Sequence, residues 1–287
     1  MGDQRHLHFD LVVATVDRVD ELERLFDSLE RQRFRAFRVV LVDQNDDDRL
    51  GPLLARDRPF EVTRLRSARG LSRARNEALR ELRADLVAFP DDDCVFAPDL
   101  LERLERRFAA DPGLDGLTGR AVDDSGRSTP SWAQAPATLT RENLWNRAIS
   151  FTIFLRLPLV TRVGPFDEQL GLGAETPWAS GEEIDYLVRA VEAGARIEFD
   201  PAITVSHENR ELSPNALRSV GARDGASVGY ILRKHGYPAR TLGTMFVRPV
   251  GGLLQALARR DTRRARFHLA TLGGRVRGYT TSSNSSA

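Results

Sequence analysis

The chain of 287 residues contains a single cysteine, Cys94, and a single lysine, Lys234. One cysteine excludes an internal disulfide and any zinc site that needs several thiolates, and it suits a reducing cytosol. No stretch approaches about eighteen uninterrupted apolar residues, and the first ten residues lack an apolar signal core, so we expect neither membrane spanning nor secretion. The hydrophobic content of 41% is enough for a sizeable core, which predicts a soluble globular protein.

Two glycine motifs of common nucleotide-binding enzymes are also missing. No G-x-G-x-x-G follows the first predicted strand, which argues against a dehydrogenase, and no G-x-x-x-x-G-K-[ST] is present. The chain also lacks a glycine- and arginine-rich opening loop of the kind found in sugar nucleotidyltransferases. Because such an enzyme would share the sheet and the metal-binding acids, it stays an enzymatic alternative.

The basic residues are almost all arginine and are unevenly distributed. We interpret the preference for arginine as codon bias. The net charge is +1, but residues 231–287 carry ten arginines and one lysine against one acid, which gives this segment +10 and the remainder −9. Such an asymmetry predicts a separate role for the C-terminal segment.

Apolar runs and helical spacing alternate along the chain. The first predicted strands cover residues 9–16, 37–42, 61–65 and 85–89, with helices predicted at 19–29, 70–82 and 98–109. Later patterns predict strands at 151–155 and 196–199 and helices at 183–193, 215–232 and 249–270. Strands that alternate with helices indicate a parallel sheet covered on both faces. Functional groups gather at the carboxyl ends of such strands, where Thr15, Asp43 and Asp91 fall.

Two groups of acids stand out. Asp91, Asp92 and Asp93 directly follow an apolar strand-like run, and Glu182, Glu183 and Asp185 come about ninety residues later at a predicted helix start. Like charges this close repel, and a bound cation or solvent must offset them. Hard oxygen ligands favour magnesium, manganese or calcium, whereas the alternative for an isolated triplet is a solvated acidic turn.

Several motifs occur in a fixed order. They are Val12–Arg18, Val42-Asp43, Gly70–Asn76 with its Ala-Arg-Asn, the DxD-like Asp91-Asp92-Asp93, Gly164–Glu168, Trp178–Asp185 and Val205–His207. In this order they resemble family 2 glycosyltransferases of the GT-A fold over roughly residues 8–210. The chain departs from the family pattern at Ala14-Thr15 (usually Pro-Thr), at Val16 (often aromatic), at Asp43-Gln44 (usually paired aspartates) and at Gly181-Glu182-Glu183 (usually Gly-Glu-Asp).

The resemblance implies an α/β protein of GT-A fold, with a Rossmann-like, mostly parallel central sheet flanked by helices. The expected catalytic domain covers residues 1–210, with a nucleotide-sugar half at about 8–120 and an acceptor half at about 121–210. Residues 211–287 are expected to form a basic helical appendage, with a disordered tail in TSSNSSA. The implied activity is inverting transfer of a sugar from a UDP- or dTDP-type donor to an acceptor hydroxyl. The resemblance places this activity in cell-surface polysaccharide or glycolipid biosynthesis.

The resemblance also implies roles for individual residues. Asp93 is the leading ligand for Mn2+ or Mg2+, joined by Asp91 and His207. Nucleotide-sugar binding is expected from Thr15, Asp43, Arg75, Asp91 and Asp92, and sugar contacts from Trp178 and Glu182. Glu183 matches the position of the general base, with Asp185 as the second candidate.

Each of these residues also has a structural alternative. His207 could pack or cap rather than bind metal, and the acids at 182–185 could simply stabilise a helix start. Trp178 could be buried in the core rather than stack on a sugar. Thr15 and Asp43 could cap turns.

The +10 segment, residues 231–287, suggests contact with an anionic membrane surface, and the alternative is a helical appendage packed on the catalytic domain. The expected acceptor is a glycan or a lipid-linked glycan, and the expected location is cytoplasmic at the inner face of the membrane. No aromatic-interleaved basic motif supports nucleic-acid binding. The oligomeric state is left open, and a noncatalytic nucleotide-sugar- or glycan-binding module is the alternative from a different functional class.

Overall fold

A computed structural model describes residues 6–123, 125–129, 131–207 and 212–281. The strands in these residues are β1 (Phe9–Thr15), β2 (Phe37–Asp43), β3 (Glu61–Arg66), β4 (Leu86–Ala88), β5 (Cys94–Val95), β6 (Gly116–Val122), β7 (Ala137–Thr138), β8 (Ile153–Arg156) and β9 (Ile197–His207). The helices are α1 (Asp20–Glu30), α2 (Gly51–Leu54), α3 (Leu71–Leu79), α4 (Leu100–Ala110), α5 (Leu157–Val163), α6 (Glu182–Glu192), α7 (Pro214–Lys234), α8 (Ala239–Ala258) and α9 (Thr262–Thr280). The expected α/β class is confirmed.

All nine strands belong to one sheet, in the order β3-β2-β1-β4-β8-β6-β9-β5, with β7 paired to β9. The first four strands of this order are parallel, as the alternation of strands and helices predicts. Beyond β4 the sheet is mixed, because β8 runs antiparallel to both β4 and β6. The four parallel strands fall within residues 8–120, and the division into a nucleotide-sugar half and an acceptor half stays a prediction.

Strands β1 and β2 form the centre of this half, and nearly every residue of both is buried. Leu11 and Val13 belong to the same apolar cluster as Leu25 and Phe26 of α1. Burial on both faces explains why these strands read as continuous apolar runs rather than as alternating patterns. At their carboxyl ends Thr15 is the register partner of Asp43, as expected for neighbouring parallel strands.

Three predicted elements differ from the structure. The helix predicted to run to residue 82 ends at Leu79. The strand predicted at 196–199 continues as β9 to His207, because its later residues pair with β6 and β5. The single helix predicted at 249–270 is two helices, since Arg260 takes a φ of 55° and the Asp261 side chain caps α9 by accepting from the backbone N of Arg264.

The chain divides into two compact units. Unit 1 comprises Met1–Phe166 and Tyr186–Asn209, and unit 2 comprises Asp167–Asp185 and Arg210–Ala287. The domain boundary predicted at residue 210 and most of the predicted disordered tail lie outside the described residues, so that division stays a prediction. Within the described residues, none of the helices has the length and apolar content needed to cross a bilayer.

Helices α7 and α9 of unit 2 pack backbone to backbone through glycines spaced four apart. These are Gly221, Gly225 and Gly229 on α7 and Gly274 and Gly278 on α9. A Cβ built at Gly225 would collide with the carbonyl oxygen of Thr271, and one at Gly278 with that of Ala226. Such an approach is open only to residues without side chains, as in the small-residue packing of close helix pairs.

Candidate active site

The acidic triplet lies at the carboxyl edge of the parallel strands. Asp91 forms an isolated parallel bridge with Ala14, so the loop after β4 runs alongside the end of β1. The chain then enters β5, which pairs antiparallel with β9 so that Cys94 lies opposite His207. Strand pairing therefore brings His207 to the acidic loop across more than a hundred residues of sequence.

Asp91, Asp93 and His207 form a cluster suited to a metal ion. One potential ligand atom from each residue lies within 4.8 Å of the others. His207 Nε2 is 3.0 Å from Asp93 Oδ1. Two carboxylates with one imidazole suit a divalent cation such as Mn2+, and the carboxylates suit Mg2+. The structure thus brings together the three residues that the sequence assigned to metal, and the donor set fits the group.

Arg18 links two of the acids, a role that the sequence did not reveal. Its Nη1 donates to Asp92 Oδ1 at 2.8 Å and to Asp93 Oδ2 at 2.6 Å. The Thr15 hydroxyl donates to Asp92 Oδ2 at 2.7 Å. Both carboxylate oxygens of Asp92 therefore accept hydrogen bonds from protein side chains, so neither oxygen is left without a protein donor. The sequence signals for Arg18 were its place three residues after the end of β1 and at the end of the first motif, Val12–Arg18, and neither names its partners.

The three carboxylates have unequal electrostatic surroundings. Burial raises the pKa of Asp92 to about 6, against the lowering effect of the Thr15 and Arg18 contacts. Burial also acts to raise the pKa of Asp93, but His207 and Arg18 outweigh it and the pKa is lowered. The contact with Asp93 in turn raises the pKa of His207. These shifts keep Asp93 in its anionic, ligand-competent form.

Arg75 and Ser150 hold the remaining acid, Asp91. The Arg75 side chain is 2% exposed, and its Nη2 lies 3.3 Å from Asp91 Oδ1. Its guanidinium lies 5.5 Å from the centre of the Phe166 ring, a cation–π arrangement. The Ser150 hydroxyl donates to Asp91 Oδ1 at 3.1 Å. Arg75 therefore orients Asp91, an acid of the cluster. The sequence predicted a nucleotide contact for Arg75 and did not predict this role.

His207 is also held by stacking. Its ring lies 4.9 Å from that of Phe151 with an angle of 7° between the planes. Phe151 is buried in the core cluster of unit 1. His207 therefore packs in the core and also contacts the acids, because one face of its ring stacks on Phe151 while Nε2 points at Asp93.

Asp43, predicted to contact the nucleobase, is fully buried. Its Oδ1 accepts from the backbone and side-chain nitrogens of Asn45, and its Oδ2 accepts from Arg64. Burial acts to raise the pKa of Asp43, but the bonds from Asn45 and Arg64 outweigh it and the pKa is lowered. The turn-forming alternative accounts for these contacts, and the role in base recognition stays a prediction.

The second acidic group lies in the first turn of α6. Glu182 is buried, Glu183 is half-buried and Asp185 is fully buried. Asp185 Oδ1 lies 2.7 Å from Nζ of Lys234 and 2.8 Å from Nε2 of His235. The only lysine of the chain thus offsets the charge of Asp185, and it also pairs with Asp167 at 2.7 Å.

Trp178 packs within unit 2. It is 4% exposed, and its ring lies parallel to that of Tyr230 with 4.9 Å between centroids. One face of the indole is therefore covered by Tyr230. The core alternative describes this environment, and the predicted sugar contact is not tested by it.

Comparison with known proteins identifies the class. The family model described as Glycosyl transferase family 2 matches residues 10–164, more than half of the chain. The matched segment contains Thr15, Asp43, Arg75 and the acidic loop after β4. The chain therefore belongs to glycosyl transferase family 2, as the motif order predicts.

Curated relatives of this chain are named as glycosyltransferases. The pre-mycofactocin glycosyltransferase of Mycobacterium tuberculosis is 28% identical over 222 residues, which cover 71% of this chain and 43% of the relative. The uncharacterized glycosyltransferase YfnE of Bacillus subtilis is 33% identical over 88 residues, or 28% of this chain and 22% of that protein. The chain thus spans less than half the length of these relatives.

Solved structures share the fold. The mannosyltransferase PcManGT from Pyrobaculum calidifontis, in complex with GDP-Man and Mn2+, aligns with a TM-score of 0.67 at 14% identity, covering 96% of this chain and 87% of that one. S. aureus TarS 1-349, in complex with UDP-GlcNAc, aligns with a TM-score of 0.59 at 18% identity, covering 91% and 90%. At these identities the likeness supports the GT-A fold predicted from sequence.

Proposed function

We propose that this chain is a metal-dependent, inverting glycosyltransferase that moves a sugar from a UDP- or dTDP-type donor to an acceptor hydroxyl. One observation carries the proposal, the convergence of Asp91, Asp93 and His207 within 4.8 Å at the carboxyl edge of the parallel strands. Ligands of α/β sheets bind at this edge. Family membership adds the reaction class.

The proposed metal is Mn2+ or Mg2+, held by Asp93, Asp91 and His207. When bound, a divalent cation supplies positive charge to the diphosphate that departs from the sugar. Arg18 and Arg75 prepare the cluster, since Arg18 fixes the direction of Asp93 and Arg75 that of Asp91. Supporting groups of this kind hold ligand side chains in the geometry that a metal needs.

Glu183 is the proposed general base. Its carboxylate takes the proton of the acceptor hydroxyl while that oxygen bonds to the anomeric carbon. The bond to the diphosphate oxygen breaks on the opposite face of the sugar, and its electron pair leaves with the diphosphate. This assignment rests on the family motif. Asp185 is better assigned to positioning, because Lys234 and His235 hold it in a fully buried place.

The donor base and the acceptor follow from the resemblance alone. One structural neighbour was solved with UDP-GlcNAc and another with GDP-Man, so both bases belong in a binding panel. The proposed acceptor is a glycan or lipid-linked glycan, in polysaccharide or glycolipid biosynthesis at the cytoplasmic face of a membrane.

Helix α8 supports the proposed membrane contact. Val247, Val250, Leu254 and Leu257 are exposed at helical spacing on one side of it. Residues 239–280 carry nine arginines and one acid. An exposed apolar stripe among arginines is typical of helices that lie on anionic lipid surfaces.

The function is tested by titrating the full chain with UDP-, dTDP- and GDP-sugars, with Mn2+ or with a chelator, while donor hydrolysis is followed. We expect metal-dependent preference for one base. The Glu183→Gln variant should bind this donor as wild type does and lose turnover by about 10²- to 10⁴-fold.

Glu175→Gln is the matched control, because it makes the same substitution at an exposed position of unit 2, and it should retain turnover. Equal loss in both variants would remove Glu183 from the mechanism. Donor binding by wild type without any turnover would favour the noncatalytic module instead.

A further inference from the structure

A cavity of about 520 Å³ lies in unit 2 between α7 and α9. Arg218 and Arg223 of α7 and Arg266 and Arg277 of α9 line it. Its volume is in the range of small-ligand pockets, about 300–1,000 Å³. None of the residues assigned to sugar transfer belongs to its lining.

The lining is cationic and largely uncompensated. It contains no carboxylate among the residues that the structure describes. Arg223 pairs with Asp224 at 2.9 Å, but in the described ranges no ion pair engages Arg218, Arg266 or Arg277. Guanidinium groups gathered without acids repel one another, so the arrangement favours a bound anion.

The floor of the cavity is apolar and built from small residues. Ala222 and Ala226 of α7 face Ala270 and Gly274 of α9, where the glycine contacts bring the two backbones together. Leu269 also lines the cavity and is 59% exposed. A surface of this kind offers hydrophobic contact but few hydrogen bonds, so it suits a hydrocarbon chain better than a sugar.

We propose that this cavity binds a ligand that joins a phosphate or diphosphate to an apolar chain. The guanidinium groups hold the phosphate oxygens, which arginine matches with paired hydrogen bonds. The chain lies along Ala222, Ala270 and Leu269. Binding is measured without any nucleotide sugar, so its outcome is independent of the transferase proposal.

The probes are decyl phosphate below its micelle concentration, inorganic phosphate and decyl maltoside, each titrated into the full chain by calorimetry. We expect decyl phosphate to bind more tightly than inorganic phosphate, and decyl maltoside to bind least. The double variant Arg218→Gln/Arg266→Gln should weaken decyl phosphate binding at least about tenfold, since charge-assisted bonds are lost.

A matched double variant, Arg240→Gln/Arg259→Gln, removes the same charge from exposed arginines of unit 2 outside the cavity. It should bind as wild type does. Ala222→Phe keeps every arginine and places a ring in the cavity from an exposed position, so it should weaken decyl phosphate but not inorganic phosphate. Helical circular dichroism checks that each variant is folded.

Equal weakening by the two arginine pairs would overturn the proposal, because the effect would then belong to the general basic surface. Equal affinity for inorganic phosphate and decyl phosphate would overturn the proposal that the cavity binds an apolar chain. Vesicles of phosphatidylcholine with or without phosphatidylglycerol distinguish the sources. Weaker binding of Arg218→Gln/Arg266→Gln than of wild type to vesicles with phosphatidylglycerol supports a lipid headgroup. Loss of decyl phosphate binding with vesicle binding unchanged supports a free amphiphile.

Discussion

The acidic edge of unit 1 and the helices of unit 2 treat charge in opposite ways. In unit 1, Asp92 and Asp93 are bound by Arg18, and Asp43 by Arg64, so each acid has an internal cation. In unit 2, residues 239–280 carry nine arginines against Asp261 alone. Internal pairing fixes side chains for chemistry, whereas uncompensated charge is available to an external partner.

The two regions also differ in how their backbones are held together. Unit 1 relies on strand pairing and a core of large apolar side chains. Helices α7 and α9 of unit 2 instead meet through glycine, with carbonyl oxygens where side chains would ordinarily interdigitate. Mutations should therefore act through ligand geometry in the first region and through backbone collision in the second.

The largest effect is expected at the acidic edge. Asp93→Asn keeps the shape of the side chain but removes the charge that faces Arg18 and His207. We expect metal-dependent donor binding to weaken by about 100-fold. The measurement is donor affinity across a Mn2+ titration. Asp46→Asn, an exposed control in the same unit, should leave donor affinity unchanged. Unaltered metal dependence in Asp93→Asn would show that the cluster does not bind the metal.

The next effect tests the glycine contact of unit 2. Gly278→Ala adds a Cβ that collides with the carbonyl of Ala226, so the helices must separate. Overpacking of this kind should lower the free energy of unfolding by about 2 kcal/mol. Urea unfolding followed by helical circular dichroism measures it.

Gly251→Ala is the matched control, because a Cβ there meets nothing within 4 Å. Alanine in an open helical position should raise the free energy of unfolding by roughly 0.5–1 kcal/mol. Opposite signs for the two glycines would show that the close backbone contact at Gly278 decides its effect. The same sign would show that the packing of α7 and α9 is not limited by backbone contact.

The smallest effect concerns the exposed stripe of α8. Leu254→Gln/Leu257→Gln should weaken binding to phosphatidylglycerol vesicles by about tenfold, because two apolar side chains no longer enter the lipid. Sedimentation of vesicles with bound protein measures it. Leu172→Gln/Leu212→Gln removes two exposed leucines elsewhere in unit 2 and should bind normally. Equal losses would indicate that apolar exposure in general, rather than α8, drives the contact.

The sequence names the residues of the Asp91, Asp93 and His207 cluster, but it does not name the side chains that hold them in place. Asp91, Asp93 and His207 could be named from the sequence because acids follow a predicted strand and a histidine ends a late motif. Arg18 could not, since one arginine among 41 has no distinguishing pattern until the fold places it 2.6 Å from Asp93. Such pairings depend on the loop after β1 and the loop after β4, whose conformations periodicity does not encode.

The second acidic group shows the same limit from the other direction. Sequence spacing places Glu183 and Asp185 together as candidates for the base, because both lie in the first turn of one helix. Only the structure shows Asp185 buried between Lys234 and His235. The glycines of α7 and α9 do recur every four residues in the sequence, but a spacing names neither the partner helix nor the contact.

The pairing of Cys94 with His207 has a consequence for how this sequence can change over time. Successive residues of a strand point to opposite faces, so a one-residue insertion within β9 would turn the imidazole away from the acids unless a bulge absorbed it. Insertions in loops that do not border the acidic cluster would leave its geometry unchanged. Length variation among descendants of this chain should therefore avoid residues 204–207 of β9, which pair with β6 and β5 after the register shift, and accumulate away from the acidic cluster.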